Sequence, residues 1–199
     1  MLHRLLALSC VASLVGCAED DDGDGRSDRL LTGFADGDIA MAGVIEGDIL
    51  KVYICGGEQT YATHTMWFHA LPIDGDVVDG QADGASVHGE FDERGDISGT
   101  FRDRDGIDHP WSMEPTREGS LAGLYTATTD GCTTGVIVWE SGTDQSTGEP
   151  GYDGQGTWCN MASEFEQVII LPPIALESSG LEVSVPDREG FESFFVEPF

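Results

Sequence analysis

From Gly37 onward, apolar side chains recur at alternate positions in short runs, and glycine and aspartate interrupt those runs about every ten residues. A period of two sends successive side chains to opposite faces of an extended strand, whereas an amphipathic helix needs a period near 3.6. The runs are Ile39–Ile45, Ile49–Cys55, Met66–Ile73, Ser86–Asp92, Ile97–Arg102, Ile107–Met113, Leu121–Thr128, Thr133–Glu140, Gln155–Asn160, Glu166–Leu171 and Leu181–Val185. Strands at this spacing, divided by turn residues, belong to a sandwich or a barrel. Only Ala162–Leu171 leaves room for a helical turn. Gly-Asp-Ile recurs at positions 37–39, 47–49 and 95–97, each time as a turn glycine feeding a strand.

One hairpin can be registered from the residues alone. A three-residue loop Glu93-Arg94-Gly95, with its glycine left-handed, sets Val87 against Phe101, Gly89 against Gly99 and Phe91 against Ile97 on one face. His88, Glu90, Ser98 and Thr100 then share the solvent face. A loop one residue shorter would mix the two faces, which a half-buried sheet does not tolerate. A two-residue turn at Glu46-Gly47 similarly gathers Ile39, Met41, Ile45, Leu50, Val52 and Ile54 on a buried face. Glycine followed two positions later by an aromatic recurs in Gly89/Phe91, Gly99/Phe101, Gly123/Tyr125 and Gly156/Trp158. Rings lying over glycines of neighbouring strands permit the sharp curvature that closure requires. The expectation is an all-β fold: a small antiparallel β-barrel, with a β-sandwich as the alternative, forming a single domain over residues 39–199.

Charge narrows the partners. Against 9 Lys+Arg stand 37 Asp+Glu, a net charge of −28 in 199 residues. Nucleic-acid affinity rests on basic surface, so DNA and RNA are excluded as partners. Attraction to anionic lipid through charge is excluded for the same reason. No run of 18 or more apolar residues is present to cross a bilayer as a helix.

Membrane association is expected by another route. Met1–Cys17 reads MLHRLLALSCVASLVGC, with Arg4 before an apolar stretch, Leu5–Val15, too short to span. Leu14-Val15-Gly16-Cys17 resembles the lipobox of bacterial lipoproteins. The resemblance implies cleavage before Cys17 and acylation of that residue, and more than one acyl chain anchors stably where one does not. Ala18 after the cysteine favours the outer membrane, so the expected location is the cell envelope, lipid-anchored and extracytoplasmic.

Residues 18–38, AEDDDGDGRSDRLLTGFADGD, read as an acidic, self-repelling tether. A flexible chain of that length would hold the domain about 25 Å from the membrane. Within it Asp20, Asp22, Asp24, Gly25 and Asp28 resemble the acidic loop of EF-hands, dockerins and thrombospondin type 3 repeats, where alternate carboxylates converge on calcium. The pattern departs from those loops at its twelfth position, Leu31, where the bidentate glutamate is missing, and no flanking helices are expected. Calcium is the one cofactor this reading offers, beside a plain linker that binds nothing. Asp74, Asp76, Asp79 and Asp83 form a second acidic stretch, read as a hairpin loop with calcium binding as the alternative.

Of the 5 cysteines, Cys10 leaves with the leader and Cys17 carries lipid. In an oxidising compartment Cys55, Cys132 and Cys159 give one disulfide and one free thiol, with Cys132–Cys159 the first choice and Cys55 the alternative partner of either. Catalytic signatures are missing: the sequence has no G-x-S-x-G, no H-E-x-x-H and no phosphate-cradling glycine loop. His64 and His69, five apart, fall on opposite faces of a strand. His88 with Glu90 would need His109 or Asp108 from another strand to bind a metal. Trp67, Trp111, Trp139, Trp158, Tyr53 and Tyr125 either pack the core or line a cavity. The Phe191, Phe194, Phe195 and Phe199 tail is expected to close the core. The sequence therefore points to a lipid-anchored binding or structural β domain rather than an enzyme. A calcium-stabilised adhesion or envelope-assembly module and a secreted hydrolase are the alternatives, and a small ligand or an envelope protein is the partner class.

Overall fold

The structure is a computed structural model and describes residues 29–129, 132–143, 148, 150–159, 165–168, 176–177, 180–187 and 190–199. Cys17 and the acidic loop Asp20, Asp22, Asp24 and Asp28 lie outside the described residues, as does most of the 162–171 segment.

Eight antiparallel strands close a barrel: β1 (Leu30–Ala35), β2 (Ile39–Glu46), β3 (Ile49–Cys55), β4 (Met66–Asp74), β5 (Val77–Ala82), β6 (Ala85–Phe91), β7 (Ile97–Arg102) and β8 (Asp108–Pro115). Neighbours in sequence pair with each other, and β1 returns to β8 through Leu31↔Pro115, Gly33↔Met113 and Ala35↔Trp111. Full closure leaves no unpaired sheet edge. A four-residue helix, α1 (Tyr61–His64), interrupts the β3–β4 connection.

The registered hairpin is as expected: Val87 pairs with Phe101, Gly89 with Gly99 and Phe91 with Ile97, and these four apolar side chains are buried in the barrel. The β2–β3 hairpin keeps the expected buried face, but its turn is Gly47-Asp48, with Glu46 paired to Ile49. Gly47 takes φ of 58°, so the glycine itself occupies the turn and the register moves by two while the faces are conserved. Trp111 lies over Gly89, where an added Cβ would come within 2.6 Å of the indole. Glycine under a ring is thus a steric requirement here, as curvature demanded.

Three boundaries differ from expectation. The tether does not extend to residue 38, because Leu31 and Ala35 are buried and β1 supplies the closing strand. Apolar side chains inside an acidic stretch found a place in the core. The acidic stretch 74–83 is not one loop, since β5 runs through it with Val78 buried inward and Asp79 outward. Its carboxylates are thereby split between the turn at Gly75-Asp76, the strand, and the next turn at Asp83, whose φ is 49°. The barrel also ends at Pro115, and the described strands after it form a separate sheet.

That second sheet has seven strands, β9 (Gly123–Thr129), β10 (Cys132–Thr143), β11 (Pro150–Cys159), β12 (Phe165–Val168), β13 (Leu176–Glu177), β14 (Gly180–Asp187) and β15 (Gly190–Pro198), in the order β12-β11-β10-β9-β15-β14-β13. The strand β12 falls where a helical turn had been allowed for. This sheet lies against the outside of the barrel, with Leu124 and Ile137 packed on Ala40, Ala42, Tyr53 and Cys55. Tyr53 passes over Gly135 and its hydroxyl meets Thr157 Oγ1 at 2.8 Å. Trp139 stands edge-on to Phe34 at 4.9 Å between ring centres. The aromatics therefore pack rather than line a lumen: Trp111 fills the barrel, and Tyr53 is sealed between the sheets. Phe199 is 44% exposed and rests on Trp67, with Lys51 Nζ 5.2 Å from its ring centre, so it caps an outer seam instead of closing the core.

Gly89→Val should drive a branched side chain into Trp111 and cost about 1–3 kcal/mol. Urea unfolding followed by tryptophan fluorescence checks this; an unchanged midpoint would mean the ring does not bear on the strand.

Candidate functional site

Odd-numbered strands of the barrel all run toward one rim, so the β1–β2 turn, the β3–β4 connection and the β7–β8 turn meet there. Each contributes polar side chains. The β3–β4 connection opens with Gly56-Gly57, and a Cβ at Gly56 would collide with the Thr60 carbonyl. The N–H groups of Thr60 and Tyr61 both bond to Gly57 O, which starts α1 and delivers His64 from its last turn.

Asp103 is the hub. Its Oδ1 accepts N–H bonds from Asp105 at 2.9 Å and Ile107 at 2.8 Å, an aspartate turn that fixes the carboxylate. Its Oδ2 then faces two imidazoles, with His109 Nε2 at 3.2 Å and His64 Nε2 at 3.3 Å. The Asp103 side chain is 4% exposed and both histidines are 12% exposed. On its far edge His109 donates from Nδ1 to Asp36 Oδ2 at 2.7 Å. His64 Nδ1 meets Thr63 Oγ1 at 2.8 Å, and that hydroxyl donates to Thr60 O at 3.1 Å. Phe101 stacks on His109 at 5.6 Å, and the two imidazoles stand edge to face at 5.4 Å. Arg104 Nη1 donates to Thr63 O at 3.2 Å, docking the β7–β8 turn onto α1. A cleft of about 180 Å³, lined by Ala62, Thr63, His64, Asp103, Arg104 and Asp105, opens beside the group.

The electrostatics follow from this packing. Burial opposes the charge on Asp103, yet the N–H donors of Ile107 and Asp105 and the His109 ring outweigh it and hold the carboxyl below its ordinary value. Burial likewise opposes a charged His109, but carboxylates on both ring nitrogens raise its pKa above the usual imidazole value.

The histidines take partners other than those weighed from sequence. His109 does approach another histidine, but its companion is His64 rather than His88. His88 bonds Asp79 Oδ1 at 2.8 Å on the outer face, because register sets β5 Asp79 beside it. His69 stacks on Trp67 at 5.5 Å, and Asp108 pairs with Arg102 at 2.6 Å. Sequence reading placed His64 on a strand and did not consider Asp103. The Gly56-Gly57 pair and the Asp103-Arg-Asp105-Gly106 turn were the signals that could have found them.

Among the remaining groups, Cys132 is disulfide-bonded and Cys55 is a free, buried thiol, which removes Cys55 from the pairing. The side chain of Cys159 lies outside the described residues. Burial pushes the Cys55 thiol up to about 11. Gln155 Nε2 reaches the carbonyls of Cys55, Gly56 and Asp38 at 2.7, 2.8 and 3.0 Å, tying the second sheet to the rim. A larger open cleft, about 560 Å³, runs outside the barrel past Phe34, Ser112, Arg117, Trp139 and Glu140, where Arg117 pairs with Glu140.

Two outcomes follow. The His109 contribution to stability is complete below the unfolded imidazole value of about 6.5 and is lost as pH rises through the raised folded value; that of Asp103 is present above about 3.9 and lost as pH falls through its lowered value. In chelator, the urea midpoint of wild type should exceed that of His109→Gln most between about pH 4 and 6.5 and converge on it at alkaline pH; a gap independent of pH would contradict the pairing. Second, Cys55 should resist iodoacetamide in the folded protein at neutral pH and react once urea unfolds the chain; labelling of native protein would show a more accessible thiol. No family model, curated protein or solved structure matches this chain.

Proposed function

We propose that the protein is a lipid-anchored, extracytoplasmic module of the bacterial cell envelope that carries no cargo inside its barrel and acts through its outer surfaces in a binding or structural role. What supports this reading is the filling of the barrel by Phe68, Phe91, Phe101, Trp111, Met41 and Met113, which occupy the space where a lipid or sugar would otherwise sit. Recognition is then left to the exterior, where the Phe34–Trp139 cleft combines aromatic walls with the Arg117–Glu140 pair. The anchor is carried by Cys17, and β1 begins at Leu30, so the acidic linker between them is short and the barrel stands near the membrane. Ala18 after the cysteine supports outer-membrane residence, as the lipobox resemblance implies.

The calcium-stabilised module loses one support, since Asp74, Asp76, Asp79 and Asp83 are divided between hairpins. A secreted hydrolase is favoured by one observation, the convergence of His64, Asp103 and His109 beside a cleft.

Expression in a diderm bacterium with labelled palmitate tests the anchor. The wild-type chain should incorporate label and resist carbonate extraction from membranes, and Cys17→Ala should do neither. Label retained by Cys17→Ala, or wild-type protein recovered unlabelled in the soluble fraction, would overturn the reading.

A further inference from the structure

We infer that the barrel rim is a binding site for a zinc-class divalent metal ion, held by His64 Nε2, His109 Nε2 and Asp103 Oδ2. The inference stands apart from the lipid anchor and would hold if the anchor failed. These three atoms lie within 4.8 Å of one another. Zinc takes nitrogen ligands at about 2.0–2.1 Å and carboxylate oxygen at a similar distance, so ligand atoms on a tetrahedron sit about 3.3 Å apart. The contacts of Asp103 Oδ2 with the two imidazole nitrogens are 3.2 and 3.3 Å. Both spacings suit ligands that share one tetrahedral ion.

The outer edges of the ligands are supported in the manner of a metal site. A ligating histidine donates its other N–H to a carboxylate, carbonyl or hydroxyl, which fixes ring orientation and presents the free nitrogen to the metal. Asp36 performs this for His109, and Thr63 for His64, since the Thr63 hydroxyl gives its own proton to Thr60 O and is left to accept. Asp103 is held through its second oxygen by two backbone N–H groups. All three ligands are thus oriented from behind, and both imidazole nitrogens face Asp103 Oδ2. Phe101 walls one side of His109, giving the site a dry flank.

Three protein ligands leave a fourth position, and the cleft bordered by Ala62, Arg104 and Asp105 opens beside the group. Two histidines, one carboxylate and an exchangeable position form the donor set of zinc sites that bind water or a small anion. Nitrogen ligands select against calcium and magnesium, which prefer all-oxygen shells. Among the described residues no other group of three His, Cys, Asp or Glu side chains converges, so survival in excess Ca2+ distinguishes this site from the scattered carboxylates.

The test uses the full-length chain, stripped with chelator and titrated with Zn2+ and, separately, Co2+. One tight Zn2+ equivalent should bind and should survive excess Ca2+. Co2+ should give the intense visible absorption of a four-coordinate ion with nitrogen ligands. His64→Ala and His109→Ala should abolish the tight phase, and Asp36→Asn, which touches no metal, should weaken it about 10–100-fold. Circular dichroism verifies that each variant folds; where one does not, the wild-type cobalt spectrum decides alone. No tight Zn2+ binding, a pale six-coordinate Co2+ spectrum, or affinity unchanged in folded His64→Ala or His109→Ala would each overturn the site.

Discussion

Closure of the barrel by β1 is the constraint on which the rest depends. Leu30–Ala35 hydrogen-bonds to β2 on one side and to β8 on the other, so it removes both edges that an eight-stranded meander would leave open. It places Leu31 and Ala35 in the interior and turns Phe34 outward toward Trp139. The turn that follows carries Asp36, at φ of 41°, to the imidazole of His109 on the far strand of the same seam. One strand therefore seals the core, roots one wall of the outer cleft and supplies the outermost carboxylate of the polar cluster.

The second sheet explains why β2 and β3 are apolar on both faces. Strands exposed on one side alternate apolar and polar residues, as β6 does with buried Val87, Gly89 and Phe91 between exposed His88 and Glu90. In β2, Ala40 and Ala42 stand where polar residues would otherwise be, and in β3 Tyr53 and Cys55 do. The covering sheet brings Leu124 and Ile137 onto these small side chains and satisfies the buried Tyr53 hydroxyl through Thr157. An unpaired hydroxyl there would cost about 1–3 kcal/mol. Gln155 adds three carbonyl contacts at the rim, so the sheet braces the same end of the barrel that gathers the histidines.

The rim cluster is an exchange of burial against partners. Asp103 is nearly inaccessible, and a carboxylate in that position is tolerated because one oxygen accepts two backbone N–H bonds and the other faces two imidazole nitrogens. Its strength as a hub comes from the tight β7–β8 turn, not from any local charge excess. Exposed aspartates elsewhere pair singly, as Asp79 does with His88 and Asp108 with Arg102, and form no comparable group among the described residues.

Local rules made much of this readable from residues alone. Period-two runs fixed strand type, and a left-handed Gly95, at φ of 85°, fixed the β6–β7 register to the residue. Faces survived even where the β2–β3 turn was placed one position off, because the pairing then shifts by two and preserves the alternation. What the chain alone did not reveal depends on contacts far apart in sequence. The closing strand was hidden by its acidic surroundings, since only its partners β2 and β8 give Leu31 a core to enter. The split into barrel and covering sheet rests on which surface is left apolar after closure. The meeting of His64, Asp103, His109 and Asp36 joins segments separated by up to 73 positions, and three turns share one rim only once the barrel has closed.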